Sequence, residues 1–298
     1  AERERTSRGY VAPQWVLAQG TIYPDTIESG GSQNADVIKT HHNRVAQAQE
    51  MIAQKELLEP LVDLYKDEVR ALGISLGLPD ALVHRQPFPG PGLAIRVLTQ
   101  YDSPDQQLED AIRADVLGMD ATLAAEFRMD VLPIKSVGVQ GDQRSYAHPL
   151  GISGPLHWDT LRAVSQKLLM EQRGMNRAVY CMNPETGILE AGQHVPLTVT
   201  KTYLDLLRRV DAAVQQFLEQ EGCAKDIWQT PVVLIPFGIE QKPSVVLRPV
   251  VSREGMTVTP YPLTTEMVDG LLRTLEPLPI SGIFYDITDK PPGTIEWE

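Results

Sequence analysis

The sequence has almost no cysteine. Of its 298 residues only Cys181 and Cys223 carry thiols, which leaves no disulfide framework and no thiolate metal cage. Neither CxxC nor HExxH spacing occurs, and the six histidines are scattered apart from the pair His41-His42. No apolar run approaches the ~20 residues that a membrane-spanning helix needs. The opening AERERTSRGY lacks the basic-then-apolar order of a signal peptide. Positive charge is short as well: 27 basic against 39 acidic residues give a net charge of −12, which argues against a nucleic-acid-binding surface. Anionic ligands then have to be held by a few placed Lys and Arg residues and by backbone amides, not by the overall field. These absences point to a cytoplasmic chain with no metal cage and with neither membrane nor nucleic acid as a partner. The chain starts without Met, and its polar start leading into VAPQWVLAQG is expected to reflect processing or a cut from something longer.

What is present is an ordinary globular composition, 42% apolar and 22% charged, with room for two domains that each bury a core. The apolar run Trp15 to Ala18 reads as a buried strand ending at Gly20, AQAQEMIAQ as a helix, and LLEPLVDLY as a second strand or extended stretch. In KDEVRALGISLG the apolar residues Val69, Leu72 and Leu76 form a helical stripe closed by Gly77. Strand, loop, strand and helix in this order suit the trailing part of a parallel α/β sheet, where ligands sit at the C-terminal ends of the strands. HRQPFPGPGLAIRV, dense in Pro and Gly, reads as a rigid extended connector with a hinge role only, and a domain boundary is expected near Val97.

The remaining residues contain a weak repeat of pattern. DVLPIKSVGVQGDQRSYAHPLGISG, WDTLRAVSQKLLMEQ and NRAVYCMN match TPVVLIPFGIEQKPSVVLRPVVS, TTEMVDGLLRTLEPL and SGIFYDIT, each as strand, strand, helix, strand. A helical stretch precedes each (DATLAAEFRM; TYLDLLRRVDAAVQQFLEQEG). Two similar α+β units packed side by side are expected, at about 98–195 and 196–298.

Several short strings carry chemistry. Ser29-Gly30-Gly31-Ser32 looks like a phosphate loop, but TIYPDTIE before it is no buried strand and QNADVIK after it opens no long helix, so the amides that would hold phosphate are missing. In the same connection, residues 20–43, Asp25 and Glu28 accompany Lys39, His41 and His42. Such a set could close over a nucleotide, although an exposed polar loop of no function has the same composition. Lys66 and Asp67 open a helix; Asp67 suits the positive end of the dipole, and Lys66 gains nothing there unless it faces an anion. VGVQGDQRSY is a strand followed by a Gln-Gly-Asp turn, with a plain hairpin as the alternative. The tail KPPGTIEWE is stiffened by proline and bears Trp297, which fits an end packed into something rather than a frayed one.

Taken together, LAQGTIYPDTIES, IKTHHN, EPLVDLYKDEVR, PFPGPGLAIR, VGVQGDQRSY and KPPGTIEWE resemble the C-terminal part of the glutamine-hydrolysing GMP synthases. The likeness runs from about Val16 to Glu298 in the family's order, and with QGD in one unit and KPPG in the other it is similar to the longer, eukaryotic-type version. It implies a fold that is α/β then α+β: residues 1–97 as the end of an ATP pyrophosphatase domain with its lid at 20–43, and 98–298 as a dimerisation domain. It implies ATP and Mg²⁺ as cofactors, and adenylation of the 2-oxygen of xanthosine monophosphate (XMP) followed by displacement of AMP by ammonia from glutamine.

On this resemblance the long loop is the lid, with Asp25 and Glu28 near the reacting end of the nucleotides and Lys39, His41 and His42 near the phosphates, while Lys66 and Asp67 face the ATP side. Asp142, Gln229, Lys290 and Glu296 match positions that hold XMP, with Lys290 on its phosphate. The implied partners are XMP, ATP, a glutaminase domain in cis or in trans, and a second copy in a homodimer. The family's SGGxDS loop and its glutaminase Cys and His have no counterpart in the sequence, so the chain is expected to be inactive alone. The alternatives are a non-catalytic nucleotide-binding dimerisation module, and a related pyrophosphatase acting on another acceptor.

Overall fold

The computed structural model describes residues 16–27, 46–83, 85–86, 88–118, 126–140, 143–171, 174–252 and 257–298. The chain divides into two compact units, Ala1–Arg85 and Gln86–Glu298.

In the first unit β1 (Leu17–Ala18) pairs in parallel with β2 (Leu57–Leu58). Around this pair lie α1 (Tyr23–Ile27), α2 (Ala46–Ala53), α3 (Lys66–Ser75) and α4 (Asp80–Val83). The run expected to be a buried strand is exposed instead: Val16 is 52% and Leu17 38% accessible. Among the described residues β1 has β2 as its one neighbour. Helix α3 ends as expected, with Gly77 in the left-handed region at φ +77°, where a residue without Cβ is unstrained.

The second unit is one mixed α/β body. Its elements are α5 (Gln106–Leu117), β3 (Arg128–Val131), β4 (Ser136–Gln140), β5 (Gln143–Ser153), α6 (Trp158–Glu171), β6 (Met175–Cys181), α7 (Ile188–Ala191), β7 (Gln193–His194) and α8 (Lys201–Gln220). They continue with β8 (Val232–Ile239), β9 (Lys242–Leu247), β10 (Val250–Val251), β11 (Thr259–Pro260), α9 (Thr265–Leu275) and β12 (Ile283–Asp286). The main sheet runs β3-β5-β6-β12-β9-β8-β7, with β4 paired to the first half of β5. Strands β5 and β6 are parallel across α6, β9 and β12 are parallel across α9, and β6 meets β12 antiparallel. The strands of the two repeated stretches thus share one continuous sheet.

Period-2 alternation divides the core in two. Ala178, Tyr180, Leu234, Val245, Leu247, Ile283 and Tyr285 face one cluster. It is closed by helix residues such as Leu168, Leu207, Val210, Val214, Leu271 and Leu275. The residues between them, Val179, Cys181, Val233, Ile235, Val246 and Phe284, face the opposite side, where the cover is Leu98, Leu132, Ile134 and Trp297. The longer helices roof one face of the sheet, and the short α7, connecting segments and the C-terminal tail roof the other.

The Pro- and Gly-rich segment is not extended throughout, since Gly92–Arg96 forms a turn of 3₁₀-helix and carries Arg96 to 2% exposure.

Candidate functional site

The tail is laid along β4. The Val137 amide donates to the Trp297 carbonyl at 2.9 Å and the Val139 amide to the Pro292 carbonyl at 2.7 Å. Gly138 is where this approach is closest: a Cβ there would stand 2.7 Å from the Pro292 carbonyl oxygen and 2.7 Å from Asn176 Cβ. Only a residue without a side chain lets tail and strand meet at this distance.

Beneath the tail lies a buried charged cluster. Arg177 on β6, Asp286 on β12 and Arg248 just beyond β9 share the parity of Val179, Phe284 and Val246, so all three project to the face that the tail covers. All three side chains are 0% exposed. Asp286 accepts three hydrogen bonds, from the Thr288 amide at 3.0 Å, Arg177 Nη1 at 2.8 Å and Trp297 Nε1 at 2.9 Å, and is ion-paired with Arg248 Nη1 at 2.7 Å. Burial pushes this carboxyl up, but the Arg248 and Arg177 guanidinia and the Thr288 donors outweigh it and hold it below the usual carboxylate range. Burial pulls Arg177 down to about 9, so the pair is ionised at neutral pH. Arg177 Nη2 donates at 2.8 Å each to the carbonyls of Val137 and Glu296 and to Thr294 Oγ1. One guanidinium therefore ties β4, β12 and the tail together.

The tail's last turn presents Glu296 to a clamp. Arg96 Nη2 donates to Oε1 at 2.7 Å and Arg96 Nε to Oε2 at 3.0 Å, while Gln229 Nε2 donates to Oε1 at 2.9 Å. Arg96 Nη1 lies 4.0 Å from Asp211 Oδ1, and the Phe88 ring lies over the guanidinium at 5.1 Å. Burial raises the Asp211 carboxyl more than Arg96 lowers it, and Glu296 adds to the rise. Two sequence-predicted residues, Gln229 and Glu296, are thus in direct contact although 67 positions apart.

Lys290, on the same tail, pairs through its backbone with Val258: its amide donates to the Val258 carbonyl at 2.9 Å. Its side chain is half-buried. Asp142 lies outside the described residues, two positions past the end of β4.

In the first unit, Asp25 sits on α1 and its Oδ2 accepts from the Ile22 amide at 3.1 Å. The Tyr23 amide donates to the Leu64 carbonyl at 2.9 Å and the Tyr23 and Tyr65 rings meet edge-on at 5.1 Å, which brings the helix of Asp25 beside the start of the helix that Lys66 and Asp67 open. The N-terminal amide there is satisfied by Glu68, whose Oε2 accepts from Tyr65 N at 2.8 Å. Burial, and then Arg70, pull Lys66 below the usual lysine range. Glu28, Lys39, His41 and His42 lie outside the described residues, as does SGGS. Among the described residues no group of three or more His, Cys, Asp or Glu is placed to hold a metal ion. Both cysteines are buried, and burial pushes the Cys181 thiol up to about 12, as for a packed core residue rather than a nucleophile.

Sequence reasoning missed Arg96, Arg177, Arg248, Asp211 and Asp286. A usable signal was present for three of them: Arg177, Arg248 and Asp286 interrupt otherwise apolar strand runs in NRAVYC, VVLRPV and IFYDI. A charge on the buried parity of a strand requires a buried partner. Arg96 had no such signal, since PFPGPG drew the reading toward a hinge.

Residues 216–297 match the family described as GMP synthase C terminal domain. A Leptospira interrogans protein named "Probable GMP synthase (glutamine-hydrolyzing)" is 42% identical over 291 residues, covering 95% of this chain and 47% of its own length. A Dictyostelium discoideum protein named GMP synthase (glutamine-hydrolyzing) is 32% identical over 350 residues, 100% of this chain and 48% of its own. One of the same name from Lactococcus lactis is 44% identical over 183 residues, 55% of this chain and 35% of its own. The chain spans about half the length of the first two.

Proposed function

We propose, from the premise that this chain is a C-terminal portion of a GMP synthase, that its second unit is the XMP-holding part of an enzyme that aminates XMP to GMP. In this reading the whole enzyme uses ATP, passes through an adenyl-XMP intermediate and takes ammonia from a glutaminase domain. The observation that carries it is the Gln229–Glu296 contact at 2.9 Å on the docked tail. Two residues expected to hold one nucleotide meet at one spot, on a segment held down by Trp297 and Arg177. Lys290, on that tail, is a cation for the phosphate, and the carboxylate of Glu296 accepts a hydroxyl or N–H from ribose or purine. Asp142 completes the set.

In the first unit, Asp25 and Lys66 stand on adjoining elements; Asp25 and Glu28 are assigned to the reacting end of the nucleotides, Lys39, His41 and His42 to the phosphates, and Lys66 and Asp67 to the ATP side. Burial and Arg70 lower the Lys66 ammonium below the usual lysine range, and a phosphate oxygen beside it would favour the charged form. Mg²⁺ belongs to the reaction of the whole enzyme. The described carboxylates form no set that would hold it, and no step is assigned to it. The second unit is read as a dimerisation domain of two α+β halves joined at β6 and β12. The match of the Lactococcus protein to little more than half of this chain fits a longer version of that domain.

The test is a calorimetric titration of the chain with XMP, with AMP as control and Lys290→Ala beside it. Saturable XMP binding that Lys290→Ala abolishes is the expected result. A folded chain that does not bind XMP, or binds AMP equally well, overturns the assignment. The sequence contains no SGGxDS loop, so the chain alone is expected to be inactive; pyrophosphate release from ATP plus XMP by this chain in isolation would overturn that expectation and not the XMP assignment.

A further inference from the structure

We propose that Arg96 is a positioning residue for the nucleotide site: its guanidinium fixes the Glu296 carboxylate in the orientation in which it accepts a ligand donor. The inference rests on the reading of Glu296 as an XMP-contacting residue.

Three features of the geometry carry it. First, the contact is a two-pronged one, with Nη2 on Oε1 at 2.7 Å and Nε on Oε2 at 3.0 Å. A planar fork on a planar carboxylate removes the rotational freedom that a single bond leaves. Second, the clamp is itself rigid. Arg96 is 2% exposed, it is held within a turn of 3₁₀-helix, Phe88 covers one face of its guanidinium at 5.1 Å, and Asp211 stands 4.0 Å from Nη1. Third, the bonding leaves a defined remainder. A carboxylate offers about four lone-pair directions; Arg96 takes two and Gln229 a third. The fourth, on Oε2, is the direction a ligand N–H or O–H uses. Glu296 keeps 19% of its side chain exposed, enough for a ligand to reach it.

The tail does not need Arg96 to stay docked. Its anchors are the Trp297 Nε1–Asp286 bond, the Arg177 bonds to Thr294 and to the Glu296 carbonyl, and the pairing with Val137 and Val139. Positioning and anchoring are therefore separable by experiment.

The experiment titrates XMP into the full 298-residue chain and into Arg96→Gln, Arg96→Lys, Glu296→Gln and the Arg96→Gln/Glu296→Gln double variant. Hydrogen exchange at the Val137 and Val139 amides, whose acceptors are on the tail, is followed in parallel. Arg96→Gln is expected to weaken XMP binding by about 30-fold or more, the ratio that matches about 2 kcal/mol for a lost buried charge-pair partner. Arg96→Lys, which keeps the charge but not the fork, should fall between it and wild type. The double variant should be no weaker than the worse single one, and the two amides should stay protected throughout.

Undiminished XMP binding by Arg96→Gln overturns the inference and leaves the nucleotide site standing. Loss of Val137 and Val139 protection together with binding also overturns it, because Arg96 would then be a tail anchor. Absence of XMP binding by the wild-type chain removes the reading on which it rests, and the inference with it.

Discussion

Replacing Asp286 by Asn tests the charged cluster most directly. The substitution keeps the shape and removes the one carboxylate between two guanidinia, each 0% exposed and within 2.8 Å of it. Arg177 and Arg248 then face one another unscreened. The asparagine NH₂ also points a donor at groups that are themselves donors: Arg248 and Thr288 N on one side, Arg177 and Trp297 Nε1 on the other. Among the described residues Arg248 Nε and Nη2 and Arg177 Nε find no hydrogen-bond acceptor. Apart from Asp286, the acceptors of the remaining guanidinium nitrogens are neutral carbonyl and hydroxyl oxygens, so no second carboxylate there replaces Asp286. Breaking a buried pair of this kind costs about 3–5 kcal/mol, a large share of the 5–15 kcal/mol that typically holds a domain.

The reading should be local, because two compact units need not unfold together. Amide exchange in β6 and β12, which flank the cluster, should accelerate about a thousandfold if ~4 kcal/mol is lost. The melting temperature of the second unit should fall by about 8–16 °C. Arg248→Met combined with Asp286→Asn should recover part of the loss, since one uncompensated guanidinium is then removed. Asp205→Asn, at an exposed pair with Lys201 and Arg208, should leave β6 and β12 unaffected. A change below tenfold in Asp286→Asn would refute the argument that charge compensation, rather than packing, holds β6, β12 and the tail together.

Two further outcomes follow from the same region. Gly138→Ala puts a methyl group 2.7 Å from the Pro292 carbonyl and from Asn176 Cβ, and should cost about 1–3 kcal/mol; faster exchange at Val139 with an unchanged α8 locates the effect in the tail. The folded-state Asp286 carboxyl titrates below its unfolded value of about 3.9, so its stabilisation is complete above that value and is lost as pH falls through the folded one. Acid melts of wild type should therefore steepen below about pH 4, and Asp286→Asn should lack that increment.

Much of the second unit was legible in the chain. The runs VVLIPFGI, SVVL and NRAVYC are strands because continuous β-branched and aliphatic residues suit a sheet covered on both faces. The stripe Leu206, Leu207, Val210, Val214, Phe217, Leu218 makes α8 a helix. Gly77 ends α3 where its conformational freedom was expected to. The short first-unit elements were harder. A strand two residues long with exposed Leu17 gains little from its own side chains, and its burial depends on what is placed beside it.

The sequence by itself determined the periodicities, the stiffness of KPPGTIEWE and the presence of Gln229, Lys290 and Glu296 as candidate ligand contacts. It could not determine that Glu296 would be gripped by Arg96, 200 positions earlier, or that Arg177, Asp286 and Arg248 would meet under Trp297. Periodicity is a property of neighbours in the chain, and it assigns a residue to a face. Which faces meet depends on strand order, and the order β6-β12-β9 brings together segments that local propensity treats as unrelated. The charges on those strands can be buried only because that order supplies each with a partner.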